Sequence, residues 1–164
     1  MSVAVVDCYL RRRRVRLEIS MGRFVRTSDV FNNPRGEFLD GVSVPVEGGS
    51  GREEGTQGRA PNAAIRLSEI CLVYPVSEPP VPPGGAERRE RVPQAVVLEV
   101  DDWQVTGTLF LLDRINWADF LASASGRFLP VRAASVRLGD LEDSSLYPFL
   151  LVNSSRIGAL YSGD

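Results

Sequence analysis

Two stretches of this sequence resemble each other at constant separations, and this internal repeat constrains the fold more than any other feature. Blocks 28–31 and 36–39 recur as blocks 118–121 and 126–129, each 90 residues later. A further pair of blocks, 64–74 and 151–161, matches at a separation of 87 residues, through Ser68/Ser155, Ile70/Ile157 and Tyr74/Tyr161. Repetition over such a length predicts one small unit present in two copies that pack against each other.

Apolar and polar residues alternate over short runs, which is the pattern of half-buried strands. Residues 15–19 show it clearly, and residues 104–112 read as a long strand interrupted at Gly107. A strand is also expected at 23–27, and residues 114–123 are expected to form a short helical turn or an irregular segment. Each copy should contain about five short strands separated by turns, which predicts an all-β protein built as a small barrel or a sandwich.

Two segments rich in glycine, proline and charged residues divide the chain. Residues 47–62 contain almost nothing apolar and are expected to form a flexible loop. Residues 77–93 contain Pro-Pro and Gly-Gly pairs, which suit a linker better than a helix or a central strand. The first copy is therefore expected to span residues 1–76, and the second residues 94–164.

The composition removes whole classes of chemistry. The sequence has no histidine, and all 19 of its basic residues are arginine. An imidazole base or metal ligand and a lysine Schiff base are therefore excluded, as are the Ser–His, Cys–His and Ser–Lys pairs that activate nucleophiles. With a net charge of −2, the chain as a whole has no basic field that attracts nucleic acid or an anionic membrane. We expect neither an enzyme nor a cofactor.

Carboxylate chemistry is what remains for catalysis, and acidic residues cluster at three places: Glu53 with Glu54, Asp101 with Asp102, and the segment 140–143. Such groups could bind Ca²⁺ or Mg²⁺. None of them has the ligand spacing of an EF-hand loop, and each falls in a predicted turn, where acidic side chains are usually solvated. We therefore expect no metal site.

Cys8 and Cys71 are the only two cysteines and are expected to be buried and reduced. The N-terminal residues reach an acid, Asp7, before any apolar run of signal-peptide length. No apolar run approaches the roughly 20 residues that span a bilayer. We therefore expect a cytoplasmic bacterial protein without a membrane partner.

Two short motifs resemble those of Sm-like small β-barrels. Residues 105–116 follow the first Sm motif, in which an apolar residue, a glycine and a leucine lead to an aspartate and then to Asn116. Residues 65–70 are similar to the second motif, with Arg66 in the arginine position, and Asn153 holds that position in the second copy. The tandem arrangement also resembles a bacterial family of two-repeat β proteins that carries no assigned activity.

The resemblance implies two tandem five-stranded Sm-like (SH3-like) barrels joined by the Pro/Gly-rich linker. It also implies exposed edges that pair between barrels. Because unpaired edges otherwise aggregate, we expect a homo-oligomer of closed form. RNA sites of that family use the Asn and Arg of the two motifs, which nominates Arg66, Asn116 and Asn153 as contacts for RNA or another partner.

Four consecutive arginines lie just before the first clear strand: Arg11, Arg12, Arg13 and Arg14. They could form a phosphate-binding patch or a solvated strand end whose alternate side chains lie on opposite faces. Two functions are therefore compared. The first is a non-catalytic scaffold or protein-interaction module that self-assembles through its β-edges and binds an unknown protein partner. The alternative is an Sm-like RNA-binding regulator that uses Arg66, Asn116 and the arginine run.

Overall fold

The computed structural model describes residues 2–45, 61–80, 91–112, 116–139, 141 and 144–163. Most of the predicted flexible loop and of the predicted linker lies outside these residues, at 46–60 and 81–90. Strands reach into both segments where the structure describes them. One strand begins at Asn62, the last residue of the predicted loop, while another ends at Ser77 and a third begins at Val92, both within the predicted linker. Regular structure therefore extends slightly beyond the predicted boundaries.

Within the described residues, each half of the chain contains five strands, one short α-helix and one 3-10 turn. The first half has β1 (Val3–Tyr9), β2 (Arg14–Ser20), α1 (Thr27–Asn32), β3 (Phe38–Ser43), β4 (Asn62–Arg66), the first 3-10 turn (Leu67–Glu69) and β5 (Leu72–Ser77). The second half has β6 (Val92–Val100), β7 (Trp103–Leu111), α2 (Trp117–Ser123), β8 (Phe128–Leu138), β9 (Ser145–Asn153), the second 3-10 turn (Ser154–Arg156) and β10 (Ile157–Ser162).

The order of elements is the same in both halves, and the separations present in the sequence recur in the structure. Helices α1 and α2 begin 90 residues apart, as do strands β3 and β8, whereas the two 3-10 turns begin 87 residues apart. From the last residues of β4 through most of β5, each residue therefore has its counterpart 87 positions later, in the last residues of β9, the second 3-10 turn or β10.

All ten strands form one antiparallel sheet in the order β10-β6-β7-β8-β9-β5-β1-β2-β3-β4. The all-β class is confirmed. The prediction of two separate five-stranded barrels is not, because the sheet is continuous and is not closed. Its continuity comes from the centre, where β5 of the first half pairs with β9 of the second. On either side of this junction the strands follow the same order, counterpart by counterpart.

Buried apolar side chains form two clusters, one largely from each half. The second-half cluster also contains Tyr9, Cys71 and Leu72 of the first half. The first-half cluster also contains Phe128 and Leu151 of the second half. Each half thus buries side chains in the core of the other, and this shared burial stabilises the two halves as one body.

No strand forms at 23–27, so that prediction is wrong: residues 23–26 are turn and irregular backbone, and helix α1 begins at Thr27. The side chain of Arg26, the residue before the helix, makes no capping hydrogen bond to the helix N-terminus. The carboxylate of Glu78 does so instead, accepting hydrogen bonds from the Thr27 backbone N–H (3.0 Å) and hydroxyl (2.6 Å). A carboxylate at this end satisfies orphan donors and suits the helix dipole.

Strand β7 runs through Gly107 and pairs there with Val96 of β6, whereas its register with β8 shifts between Thr106 and Thr108, so the predicted interruption is present in the β7–β8 pairing alone. A Cβ at this position would lie 2.5 Å from Val131 Cγ1 and 3.0 Å from the carbonyl oxygen of Arg132, both on β8. Glycine is therefore required by the close approach of β8 at this irregularity in the pairing.

Candidate edge-pairing site

The central junction between β5 and β9 shows how the two halves join. Leu72 lies opposite Val152 and Val73 lies opposite Leu151, and all four side chains are 0% exposed. Leu72 and Val152 belong to the second-half cluster, whereas Val73 and Leu151 belong to the first-half cluster. Because successive residues of a strand face opposite sides, the junction buries apolar side chains on both faces of the sheet.

Polar atoms at the end of this junction are satisfied across it. The buried side chain of Asn153 donates from Nδ2 to the Ile70 carbonyl oxygen at 2.9 Å, and its backbone N–H donates to the Cys71 carbonyl oxygen at 2.9 Å. Its Oδ1 accepts from the backbone N–H of Ser155 at 3.1 Å. A buried amide that is bonded on both sides has a structural role, and Asn153 fastens the second half to the first.

Arg156, the last residue of the second 3-10 turn, also reaches from one half to the other. Its Nε donates to the Ser68 carbonyl oxygen at 2.6 Å, and its Nη2 lies 3.2 Å from Glu69 Oε2. Its Nη1 lies 3.4 Å from Asp101 Oδ2, within its own half. The junction therefore ends in a charge pair between the two 3-10 turns.

An aromatic cluster flanks the same junction. The Tyr9 hydroxyl is hydrogen-bonded to the hydroxyl of Tyr147. The ring centroids of Tyr74 and Tyr147 lie 4.3 Å apart, and those of Tyr9 and Trp103 lie 4.9 Å apart. Burial, and then the hydrogen bond with Tyr147, raises the pKa of Tyr9 above its usual range. The Tyr9 hydroxyl therefore stays protonated, as a structural hydrogen-bonding group.

The outermost strands of the sheet, β4 and β10, are the counterparts of β9 and β5. Within the described residues, β4 pairs only with β3, and β10 pairs only with β6. Ala64 and Ile65 occupy the places that Leu151 and Val152 hold at the central junction, and Ala159 and Leu160 those of Leu72 and Val73. The central residues are completely buried, whereas Ala64 is exposed and the other three edge residues are only half-buried. Unpaired edges of this kind present backbone N–H and C=O groups to another strand.

Two of the three residues that the Sm-like resemblance nominates make structural hydrogen bonds within the chain. Asn116 precedes α2, and its Oδ1 accepts hydrogen bonds from the backbone N–H groups of Ala118 (2.9 Å) and Asp119 (3.2 Å). It is therefore a helix N-cap. Asn153 is the buried junction residue described above.

The third nominated residue, Arg66, lies exposed at the end of β4. Its Nη1 is 3.1 Å from Glu37 Oε2, and its guanidinium lies over the Phe38 ring at 4.5 Å from the centroid. Arg66 is the counterpart of Asn153 and borders the free edge as Asn153 borders the central junction.

The arginine run forms the turn between β1 and β2 and the first residue of β2. Arg12 Nε lies 2.8 Å from Asp102 Oδ2 of the second half, and this hydrogen bond lowers the pKa of the Asp102 carboxyl. Arg14 Nη1 lies 3.9 Å from Oδ2 of the buried Asp7. All four residues of the run are exposed, and Arg11 and Arg13 lie between β1 and β2.

Cys8 and Cys71 are both buried and free, as expected. Burial, followed by the charge of Asp7, raises the pKa of Cys8 to about 12. Burial and the hydrogen bond from Cys71 to Asp101 raise the pKa of Cys71 to about 12. Since the thiolate is the reactive form, neither thiol is an activated nucleophile at neutral pH.

A cleft of about 540 Å³ opens beside the turn between β6 and β7. Its lining combines Trp103 with acidic and basic side chains, among them Asp102 and Arg12, which already neutralise each other. In the part of the chain that the structure describes, no three Asp, Glu or Cys side chains are grouped so as to hold a metal ion.

The fold defines an all-β protein with a single sheet. Its two end strands, β10 and β4, are the counterparts of the two strands that pair at its centre, β5 and β9. Neither α-helix among the described residues is long and apolar enough to cross a membrane. The chain matches no protein-family model, no curated protein and no solved structure.

Proposed function

We propose that this protein is a non-catalytic scaffold whose copies join edge to edge, with β4 of one chain pairing with β10 of the next. The observation that carries the proposal is the central junction, where β9 and β5, the counterparts of β4 and β10, already pair within one chain. Head-to-tail pairing of this kind closes into a ring when the rotation allows it, and closure leaves no strand edge exposed.

The central junction also sets the expected register between chains. Within the chain, Leu72 pairs with Val152 and Val73 pairs with Leu151. When each residue is replaced by its counterpart 87 positions away, two contacts between neighbouring chains are expected: Ala159↔Ile65 and Leu160↔Ala64. The partner surface is therefore a second copy of this chain, bound through main-chain hydrogen bonds and a short apolar strip.

Several observations support this reading of the molecule. The identical strand order on the two sides of the junction fits two Sm-like units already joined in one chain. The absence of histidine and lysine from the sequence and the raised pKa values of both thiols fit a non-catalytic role. The RNA-binding alternative has less support, because Asn153 is buried and Asn116 caps a helix.

The oligomeric state of purified protein, measured by native mass spectrometry and by light scattering after size exclusion, tests the proposal. The wild type is expected to form a multiple of the chain. Ala64→Lys is expected to be monomeric, because the lysine ammonium would be buried without a partner opposite Leu160 of the next chain. Ala64 is exposed in the single chain, so the substitution leaves the fold intact.

Thr106→Lys is the control, because Thr106 is exposed on β7, which is already paired on both sides with β6 and β8, and this variant should assemble like the wild type. A monomeric wild type at every accessible concentration would overturn the proposal. Added mass that ribonuclease removes would instead favour the RNA-binding alternative.

A further inference from the structure

The two 3-10 turns lie beside both edges of their own halves. The first turn follows β4 and precedes β5, and the second follows β9 and precedes β10. A single turn can therefore contact one neighbour across the strand before it and another neighbour across the strand after it. At the central junction the two turns of one chain already meet, through Arg156 and the segment at Ser68 and Glu69.

Glu69 and Arg156 are counterparts, since they are the last residues of their turns and stand 87 positions apart. The same position thus carries a negative charge in the first half and a positive charge in the second. Within the chain, Arg156 belongs to the turn that follows the pairing strand β9, and Glu69 to the turn that precedes β5. Their side chains are 3.2 Å apart at the nearest atoms.

The roles of the two residues exchange when the same junction is built between chains. There the turn that follows β4 supplies Glu69, and the turn that precedes β10 of the next chain supplies Arg156. The same ion pair then forms between chains, but the acid now follows the pairing strand and the arginine precedes it. Each Glu69 then lies between the Arg156 of its own chain and the Arg156 of the neighbouring chain.

Both side chains have the capacity for a second partner. The Glu69 side chain is 60% exposed, and only its Oε2 lies within salt-bridge distance of Arg156, although a carboxylate has two oxygens that each accept hydrogen bonds. The guanidinium of Arg156 has five N–H donors, and its contacts are with Ser68, Glu69 and Asp101.

We propose that the assembled protein carries a continuous belt of alternating Glu69 and Arg156 side chains, which fixes the register of β4 against β10 of the next chain. This inference rests on the edge-to-edge scaffold proposed above. Because Glu69 is largely exposed, the belt also makes assembly weaken as salt concentration rises. Apolar edge pairing alone would not show that dependence.

Charge exchange tests the belt. The apparent dissociation constant of assembly is measured by sedimentation at low salt for E69R, R156E and the double variant E69R/R156E. Each single variant places like charges together and should weaken assembly about fivefold or more. The double variant restores opposite charges at both junctions and should assemble more tightly than R156E, because the two variants share the repulsion from Asp101. Glu18→Arg, on the exposed face of β2, is the control and should assemble like the wild type.

The single substitutions also break the ion pair at the junction within the chain. Their effect on the stability of the single chain is therefore measured separately. Thermal unfolding of each one is compared in the monomeric Ala64→Lys background, and E69R, at an exposed residue, is expected to stay folded there. If the wild type assembles and E69R assembles equally well, or if the double variant recovers nothing, the belt is overturned while the scaffold stands. A wild type that does not assemble overturns the scaffold itself.

Discussion

The side-chain amide of Asn153 donates a hydrogen bond of 2.9 Å to the carbonyl oxygen of Ile70, 83 residues earlier in the chain and in the other half. Both residues are buried, so water cannot replace either partner if the bond is lost. The junction that this bond closes makes one sheet out of two five-strand groups.

Replacing Asn153 with alanine should therefore lower the free energy of unfolding by ~1–3 kcal/mol, because the Ile70 carbonyl is left buried without its partner. Urea denaturation followed by tryptophan fluorescence measures this change. Asn33→Ala is a suitable control, since Asn33 makes an exposed hydrogen bond to the Asp29 carbonyl oxygen. Equal stability of the two variants would show that the junction bond contributes nothing special.

Asn116→Ala should destabilise the protein by about 1 kcal/mol through loss of the N-cap of α2. Asn116→Asp should retain most of the stability, because an aspartate carboxylate caps the same two backbone N–H groups. The comparison of the two thermal unfolding curves separates capping from side-chain identity. If both variants lose the same stability, the capping role is wrong.

Gly107→Ala should cost roughly 1–3 kcal/mol, because the new Cβ would overlap Val131 Cγ1 and press on the Arg132 carbonyl oxygen. Gly36→Ala provides the matched comparison, since no atom lies within 4 Å of a Cβ built at that position. Urea midpoints of the two variants measure the difference. A neutral Gly107→Ala would mean that β7 and β8 separate easily at this point.

Stability should fall as the pH rises above about 9. The pKa of Cys8 is about 12 in the folded protein, against a usual value of 9.0. The unfolded chain therefore loses this proton first, and the stabilisation, fully present below pH ~9, is lost progressively towards pH ~12. Free energies of unfolding measured between about pH 8 and about pH 11 should decline less steeply in Cys8→Ala than in the wild type. Parallel pH profiles would contradict a buried, protonated Cys8.

Enlarging the free edge should strengthen self-association if the proposed scaffold is correct. Ala159 stands where the central junction has Leu72, whose side chain is completely buried. Ala159→Leu adds apolar surface that the neighbouring chain would cover, so the dissociation constant should fall by about tenfold. Sedimentation at several concentrations measures it. A comparable enlargement on a strand that is paired on both sides, Thr106→Leu on β7, should have no such effect on assembly.

Local patterns in the sequence predict some elements correctly and miss others for a definable reason. The alternation at 15–19 lies in β2, and the helical turn expected within 114–123 is α2, which is capped by its own neighbour Asn116. Helix α1 was missed because its cap, Glu78, lies 51 residues further along the chain. No window of local sequence contains that interaction.

The candidate edge-pairing site could have been inferred only in part. The match between Tyr74 and Tyr161 marked the strands that are counterparts at the centre and at the edge. The opposite charges of Glu69 and Arg156 at one repeat position were also visible in the sequence, but their meaning depends on the two turns meeting across a junction. The Sm-like motifs pointed to Asn153 and Asn116 as contacts for a partner, whereas both side chains make bonds within the protein.

The sequence by itself determined the all-β class, the duplicated order of elements and the absence of imidazole and amine side chains, because these follow from short-range periodicity and from composition. Only the tertiary structure decided that β5 and β9 join the halves into one open sheet and that β4 and β10 remain at its ends. Strand pairing depends on main-chain hydrogen bonds and on burial between residues far apart in the chain, such as Leu72 and Val152. Every strand offers the same backbone groups, so its own residues do not specify which partner it takes.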